Sequence, residues 1–376
     1  MFIGKRSNFI LHMSNNSKIF TSIGLMSGTS LDGVDAAIIK TDGKNFIELG
    51  PAITLEYSKN FRSSLFSVIN SKNKNKQEVS DIEFELTKYH ADIIKSLLKL
   101  NKLSSKNIDI IGFHGQTILH NPEEKISLQI GDPIQLANEL KINVVNDMRS
   151  ADIIAGGEGA PLVPIYHYQC FKNFNLPLAI LNIGGVSNIT WIGLNDLVAF
   201  DSGPGNSLIN DWVKNTLNLE YDDLGSIANR GKPYSDLVNE VLSNNFFKKT
   251  PPKSLDRNYF NYRLIPKTLT PADGAATAVD IIVKSIKISE KYMPVLPKML
   301  LVCGGGRKNE LIMSKLSSSL SYPVKNIDET GFRGDFIEAE AFAYLAVRKI
   351  KNLPTSFPKT TGCRIPTCGG KITYYK

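Results

Sequence analysis

The sequence predicts an α/β protein built from two related domains. The first observation is the length of 376 residues, because a single hydrophobic core stops growing beyond roughly 250–300 residues. The second is a repeated pattern of an apolar strand, a glycine turn and another apolar strand. It occurs as IGLMSGTSLDGVDAAII from Ile23 to Ile39 and as LAILNIGGVSNITWIG from Leu178 to Gly193.

The third observation is that helical patterns alternate with buried strands along the chain. Apolar residues recur with helical spacing from Ser80 to Leu100. A helix is also expected after Asp132 and Pro133, because Asp is favoured at an N-cap and Pro at the first helical position. Strands are expected in IDIIGFHGQTILH and MLLVC, and the last long helix in IEAEAFAYLAVRKIKNL.

Gly156, Gly157 and Gly159, with Pro161 and Pro164, predict a hinge between the two domains. The expected organisation is an N-terminal extension over residues 1–19, domain I over 20–142 plus 356–376, and domain II over 143–355.

Composition limits the classes of function. The net charge of +8 comes from scattered lysines, without an arginine-rich or aromatic-interleaved tract, so a nucleic-acid partner is not expected. No apolar run is long enough for a membrane span, and the first residues do not read as a secretory signal. The four cysteines form no CxxC pair, which favours a reduced, cytoplasmic protein.

The first glycine turn has the residue types of a phosphate-binding loop. Backbone N–H groups approach an anion closely where glycine leaves out a side chain. Asp32 and Asp35 could reach a magnesium ion directly or through water. The alternative is an ordinary hairpin with glycine and aspartate in its turn. The candidate nucleotide-binding residues here are Gly28, Thr29, Ser30, Leu31, Asp32, Gly33, Val34 and Asp35.

Three further glycine loops follow apolar strands. They are GGVSN, DSGPGN and CGGGRKN, and the second ends at a predicted helix start, where an anion is favoured. Four such loops are hard to explain as structure alone, so a nucleotide cleft is predicted. The candidate residues are Gly184, Gly185, Asn188, Gly203, Gly205, Asn206, Gly304, Gly305 and Gly306.

The loops resemble those of the superfamily of actin, sugar kinases and heat-shock-chaperone ATPases. Within it, the sequence is similar to the anhydro-N-acetylmuramic acid kinase family. The motifs that carry this resemblance, in order from about Ile23 to Arg348, are GLMSGTSLDGVD, GFHGQTILHNP, SLQIGDP, NDMRSADIIAGGEGAPLVP, LNIGGVSNIT, FDSGPGN, TPADGAATA, CGGGRKN and FIEAEAFAYLA.

The resemblance implies two ribonuclease-H-like, actin-like ATPase domains with an ATP cleft between them. It implies a reaction in which water opens the 1,6-anhydro bridge of the sugar and ATP phosphorylates the freed 6-oxygen. The product is N-acetylmuramic acid 6-phosphate, made during recycling of cell-wall sugars. ATP and Mg²⁺ are the implied cofactors, a small sugar is the implied partner, and a homodimer is compatible with the resemblance.

By the resemblance, Asp201 in FDSGPGN is the catalytic base, and an Asx turn or helix cap is the alternative. Arg149 matches an active-site arginine that could orient Asp201 or a sugar oxygen. Glu338 matches the site glutamate, although the nearby Glu340 leaves that choice open.

His114 and Gln116 end a predicted buried strand and suit a sugar site, which needs neutral donors and acceptors. A structural histidine is the alternative. Met26 and Asn182 stand where the wider superfamily has aspartates, so the magnesium ligands stay open, with Asp32 as the best candidate.

Two rival functions remain at this point. A kinase for an ordinary sugar hydroxyl would accept an open reducing sugar. A filament-forming or chaperone ATPase would hydrolyse ATP without any sugar or polymerise with it.

Overall fold

The computed structural model describes residues 18–28, 31–71, 75–121 and 123–376. The chain forms two compact units. Unit 1 contains residues 18–170 of the described chain, Phe336–Pro358 and Cys363–Lys376. Unit 2 contains Phe171–Asp335 and Lys359–Gly362. Of the predicted extension, residues 1–19, the part up to residue 17 is outside the described residues.

Unit 1 contains a mixed sheet of seven strands. Six of them follow the order β12-β6-β4-β1-β2-β3, and β5 pairs with β4 outside this order. The pairs β1–β2 and β2–β3 are antiparallel, and the pairs β1–β4 and β4–β6 are parallel. The strands are β1 (Phe20–Ser27), β2 (Gly33–Thr41), β3 (Ile47–Glu56), β4 (Ile110–Asn121), β5 (Ile126–Ile130), β6 (Val144–Asn146) and β12 (Lys371–Thr373).

Unit 2 repeats this pairing pattern in a sheet of order β11-β10-β7-β8-β9. The pairs β7–β8 and β8–β9 are antiparallel, and β7–β10 and β10–β11 are parallel. The two units are therefore related in topology, and the predicted α/β class with two ribonuclease-H-like domains is confirmed. The strands are β7 (Leu178–Ile183), β8 (Val186–Ile192), β9 (Leu197–Pro204), β10 (Leu300–Cys303) and β11 (Val324–Asn326).

The helices cover the sheets, and one of them begins with the N-cap that its sequence predicts. Asp132 accepts hydrogen bonds from the N–H groups of Ile134 and Gln135, as predicted for the helix after Pro133. The helices are α1 (Lys59–Asn70), α2 (Lys76–Leu100), α3 (Pro133–Leu140), α4 (Ser150–Ile154), α5 (Pro164–Phe171), α6 (Asn206–Leu217), α7 (Ser235–Leu242), α8 (Pro271–Ser289), α9 (Glu310–Ser319), α10 (Ile337–Ile350) and α11 (Pro358–Thr361). The predicted helix from Ser80 to Leu100 starts four residues earlier, where Asn75 caps α2.

The boundaries of the two units differ from those of the predicted domains, 20–142 plus 356–376 and 143–355. The glycine-rich stretch predicted as a hinge lies within unit 1, and so does α10. Helix α10 lies directly on β1 and β4. A Cβ atom on Gly24 would come 1.7 Å from the carbonyl oxygen of Ala339, and a Cβ atom on Gly112 would come 2.1 Å from that of Phe342. These two glycines let the backbone of α10 touch the sheet.

Each unit has its own hydrophobic core. In unit 2, α6 and α8 cover the sheet with Trp212 and Val279 among the buried side chains. In unit 1, α2 packs over β2 and β3 with Leu86 and Ile93 buried. None of the described helices is both long and apolar enough to cross a membrane.

Candidate active site

In unit 2 the turn between β7 and β8 is joined to the start of α6 by four hydrogen bonds, one of them from the N–H of Ser207 to the carbonyl oxygen of Gly185 at 3.4 Å. The N–H of Gly205 donates to the carbonyl oxygen of Gly185 at 3.0 Å, and the N–H of Asn206 donates to that of Gly184 at 2.7 Å. The hydroxyl of Ser207 also donates to Gly185 at 2.6 Å. Two of the predicted glycine loops therefore form one structure.

The loop after β10 reaches the same end of the sheet. Gly304 has φ +73°, and a Cβ atom there would lie 2.3 Å from Oδ1 of Asn182 and 2.7 Å from the carbonyl oxygen of Ile183. A Cβ atom on Gly305 would meet Nδ2 of Asn206 at 3.2 Å and no other atom within 4 Å. The structure thus brings three of the four predicted loops together at the carboxyl ends of β7 and β10.

The glycines of these loops fall into two groups. A Cβ atom on Gly203 would come 2.6 Å from the hydroxyl of Ser285, and one on Gly306 2.4 Å from the side chain of Ile183. These positions need glycine for packing within the protein. In contrast, Gly184 meets nothing closer than 3.7 Å, so Gly184 and Gly305 leave room for a ligand against the backbone.

A buried acceptor points to what such a ligand offers. Asn182 is 6% exposed, and its Oδ1 atom makes no hydrogen bond within the described residues. A buried polar atom of this kind normally has a partner. A ligand with hydrogen-bond donors, such as hydroxyls or coordinated water, fits this position beside Gly304.

Arg307 fixes the glycine loop from behind. It binds both carboxylate oxygens of Asp335 at 2.8 Å, one oxygen of Asp328 at 2.9 Å and the carbonyl oxygen of Gly304 at 3.0 Å. Burial alone would raise the pKa of Asp335, but the hydrogen bonds and charges of Arg307 and Lys308 outweigh it and lower that pKa to about 2. The sequence analysis did not assign a role to Arg307.

Asp201 lies on β9 and is 6% exposed. Its Oδ2 atom accepts a hydrogen bond from the N–H of Leu255 at 2.8 Å, and its own N–H donates to the carbonyl oxygen of Lys253 at 2.9 Å. Asn188 on β8 is its register partner. The carboxylate is therefore buried and accepts a backbone N–H from a residue far away in the sequence.

In unit 1, the half-buried Arg149 donates to the buried His114. Nε and Nη2 of Arg149 donate to Nε2 of His114 at 3.2 and 2.9 Å, and Nη1 donates to the carbonyl oxygen of Gly159 at 3.0 Å. The Nδ1 atom of His114 lies 2.7 Å from the carbonyl oxygen of Gly115. Since arginine only donates, His114 carries its proton on Nδ1. Burial, and then the charge of Arg149, lower the pKa of His114 to about 3, so the ring is neutral.

Gln116 lies beside the first glycine turn. Its Oε1 atom accepts a hydrogen bond from Ser27 at 2.5 Å, and the Ser27 hydroxyl also lies 2.6 Å from that of Tyr57. The N–H of Tyr57 donates to the carbonyl oxygen of Asp32 at 3.0 Å. These contacts connect the predicted sugar-side glutamine to the turn, although Thr29 and Ser30 lie outside the described residues.

Most side chains predicted in this turn have structural positions. Leu31 and Val34 are buried in the core of unit 1, and a Cβ atom on Gly33 would come 2.4 Å from the carbonyl oxygen of Leu55. Asp35 accepts a hydrogen bond from Thr54 at 2.5 Å. Asp32, in contrast, is exposed, so it is the carboxylate in the described turn that solvent or a ligand can reach.

The two glutamates at the start of α10 differ in burial. Glu340 is fully buried and accepts a hydrogen bond from the Tyr166 hydroxyl at 2.9 Å. Glu338 is half-buried in the first turn of the helix. Of the two, Glu338 has the surface that a ligand contact requires.

The described residues contain no group of three or more His, Cys, Asp or Glu side chains that could hold a metal ion.

Comparison with known proteins identifies the family. The model of the anhydro-N-acetylmuramic acid kinase family matches residues 20–375. The anhydro-N-acetylmuramic acid kinase of Rhodospirillum rubrum is 43% identical over 94% of this chain and 94% of its own length. That of Zymomonas mobilis is 45% identical over 94% of this chain and 99% of its own. Among solved structures, component A of the (R)-2-hydroxyglutaryl-CoA dehydratase of Acidaminococcus fermentans has a TM-score of 0.47 at 12% identity, covering 88% of this chain and 99% of that one. The match over nearly the whole length shows that the chain belongs to the anhydro-N-acetylmuramic acid kinase family.

Proposed function

We propose that the protein is an ATP-dependent kinase that hydrolytically opens 1,6-anhydro-N-acetylmuramic acid and phosphorylates it to N-acetylmuramic acid 6-phosphate. The reaction class follows from the family. The observation that supports it in this chain is the Asp201 carboxylate, which is buried and held by the Leu255 N–H at 2.8 Å, as a positioned base requires.

Asp201 takes the proton from the water that attacks the anomeric carbon. The bond between that carbon and the 6-oxygen breaks, the 6-oxygen accepts the γ-phosphoryl group of ATP, and ADP leaves. Only the proton passes to the protein, so a single base suffices for the hydrolytic half of the reaction. A carboxylate suits this role because it stays ionised at neutral pH.

The loops of unit 2 bind the nucleotide in this proposal. Gly184 and Gly305 leave open space along the backbone for the nucleotide. Asn182 Oδ1 accepts a donor from the ligand. Mg²⁺ bound with ATP would neutralise the phosphates, and Asp32 is the carboxylate that we assign to it, directly or through water.

The sugar-binding groups of unit 1 are Arg149, His114 and Gln116. The guanidinium of Arg149 is held in one orientation and offers charged N–H donors to a sugar oxygen or the substrate carboxylate. The neutral His114 ring holds this guanidinium in place and adds no second charge. Glu338 supplies a carboxylate at the first turn of α10. We also propose a reducing, cytoplasmic setting, which suits the four free thiols.

The test is to mix the protein with Mg-ATP and the anhydro sugar in oxygen-18 water and to weigh the product. A sugar 6-phosphate with one heavy oxygen at the anomeric carbon is expected. Asp201→Asn should lower kcat by about 10²–10⁴-fold, the usual contribution of a general base. Asp236→Asn, a change of an exposed carboxylate on α7, is the matched control and should keep the wild-type rate.

Consumption of ATP without a sugar product would contradict the proposal and favour an ATPase. Phosphorylation of an open reducing sugar at a higher rate than the anhydro sugar would instead favour an ordinary sugar kinase. Full activity of Asp201→Asn would leave the reaction standing and remove Asp201 as its base.

A further inference from the structure

Lys253 is buried in a way that lysine seldom is. Its residue is 1% exposed, although lysine is almost never fully buried without a partner. The ammonium donates a hydrogen bond to the carbonyl oxygen of Phe246 at 3.0 Å. It lies 4.4 Å from the ring centroid of Phe246 and 4.5 Å from that of Tyr292. Aromatic rings at these distances attract a cation, so the side chain is anchored in an aromatic cage.

The cage is itself fixed to the strand that carries Asp201. Phe200, the preceding residue on β9, forms a third wall at 5.9 Å from the ammonium. Phe200 and Tyr292 pack edge to face with centroids 5.9 Å apart. The Tyr292 hydroxyl donates to the carbonyl oxygen of Phe247 at 2.7 Å. The ammonium is therefore attached to surroundings that are rigid and next to the proposed base.

The backbone of the same segment holds Asp201 on two sides. The carbonyl oxygen of Lys253 accepts the N–H of Asp201 at 2.9 Å, and the N–H of Leu255 donates to its carboxylate at 2.8 Å. Residues 253–256 belong to neither a helix nor a strand. A segment without regular secondary structure needs another anchor to hold a carboxylate in one place.

We propose that Lys253 is the positioning residue for Asp201: its caged ammonium fixes the 253–255 segment whose backbone holds the carboxylate. The proposal rests on the proposed role of Asp201 as the base. Lys253 acts through Asp201 and touches neither the nucleotide nor the sugar. Its loss should therefore lower kcat without weakening substrate binding.

The electrostatics explain why stability alone does not account for this lysine. Burial, together with the nearby charges of Lys291 and Lys249, lowers the pKa of Lys253 to about 8, although the charge of Asp201 acts in the opposite direction. A buried charge can often be replaced by an apolar side chain of similar size without loss of stability. Methionine, which is similar in length and packs well against aromatic rings, is such a replacement.

The experiment compares Lys253→Met with Lys291→Met in the full-length protein. Lys291 is exposed and lies 4.8 Å from the same Tyr292 ring, so it controls for the loss of one nearby positive charge. Lys253→Met should lower kcat about tenfold or more, because small displacements of a reacting group are costly. The KM values for ATP and sugar should stay within about twofold, and Tm should not fall.

The pH profile provides a readout that packing alone would not move. A positive charge near a carboxylate favours its ionised form, so Lys253→Met should move the acidic limb of kcat/KM to higher pH. Lys253→Arg keeps the charge and should return the limb toward its wild-type position. A limb that stays in place in Lys253→Met would overturn the proposal, because the caged ammonium would then have no influence on the Asp201 carboxylate.

The double variant Lys253→Met/Asp201→Asn separates this proposal from the proposed function. If Lys253 acts through Asp201, the lysine change should have no further effect once the carboxylate is gone. An equal fold-loss in both backgrounds, or a wild-type kcat for Lys253→Met, would overturn the proposal. If Asp201→Asn alone keeps full activity, the assignment of the base fails instead.

Discussion

Unit 1 holds the polar groups of the candidate site with side chains, whereas unit 2 holds them mainly with backbone. In unit 1, Arg149 is fixed against the ring of His114, and Ser27 joins Gln116 to Tyr57. In unit 2, the Asp201 carboxylate accepts from the N–H of Leu255, and the glycine turns bind one another through N–H and C=O groups.

The difference predicts different sensitivities. A side-chain network loses its geometry when one member is replaced, and its buried ionisable members respond to pH. A backbone network keeps its donors after most substitutions and fails where a new Cβ atom does not fit or where an anchoring side chain such as Lys253 is lost.

Acid should destabilise unit 1 before unit 2. His90, His114, His120 and His167 are buried in unit 1, and the described part of unit 2 contains no histidine. Burial is the main cause that lowers the pKa of His90 to about 4 and those of His114, His120 and His167 to about 3.

The sign follows from proton binding. Below pH 6.5 the unfolded histidines bind protons that the folded ones do not, so stability is lost as pH falls through the window from 6.5 to about 4. Unit 2 depends on carboxylates such as Asp335, whose pKa is about 2, and so loses stability only below about pH 4.

Hydrogen exchange followed by mass spectrometry at pH 7 and pH 5, corrected for intrinsic rates, measures both units in one sample. Trp191 and Trp212 are the two tryptophans of the chain and both lie in unit 2, so their fluorescence reports that unit separately. Equal loss of protection in both units at pH 5 would contradict the contrast.

Arg149→Met should lower kcat/KM about a hundredfold, or about 2.7 kcal/mol, because the fork on His114 and Gly159 is lost. Arg149→Lys should recover little of this, since an ammonium cannot replace a planar fork. Steady-state kinetics with a Tm check measures both variants. Arg364→Met, at an exposed arginine beside the carbonyl oxygen of Ala155, should remain close to wild type. A small effect of Arg149→Met would make the network of unit 1 as tolerant as that of unit 2.

The smallest effect is expected in the glycine loop, where two neighbouring residues should behave differently. Gly305→Ala meets only Nδ2 of Asn206, at 3.2 Å, so Tm should hold while KM for ATP rises about tenfold, or about 1.4 kcal/mol. Gly304→Ala should lower Tm as well, because its φ is +73° and Asn182 lies 2.3 Å from the new Cβ. Measurement of Tm with and without nucleotide separates the two causes. An unchanged KM for ATP in Gly305→Ala would remove this loop from the nucleotide site.

Local patterns in the sequence predicted much of the fold. The two hairpins, α2 and the N-cap of α3 at Asp132 depend on residues close together in the chain. The place of α10 in unit 1 could not be predicted in this way. It depends on Gly24 and Gly112, which are ordinary strand glycines until the helix comes to lie on them.

The residues of the candidate site also differ in whether the sequence could predict them. Gly184, Asp201 and Arg149 stand in recognisable motifs. The segment that holds Asp201 starts 52 residues after it at Lys253, in a loop without periodicity. Arg307 likewise meets Asp328 and Asp335 only through the fold. Contacts between backbone groups and loops leave no signal in side-chain patterning.

The close packing of α10 against Gly24 and Gly112 has a consequence for biosynthesis. The ribosome makes six of the seven strands in the sheet of unit 1 first. The helix α10 that covers them is made only after residue 335, when nearly all of unit 2 already exists. Domains usually fold in the order in which they are translated. Here the second unit can complete its core first, while the sheet of the first waits with an uncovered apolar face, and a nascent chain in that state is a natural client for a chaperone.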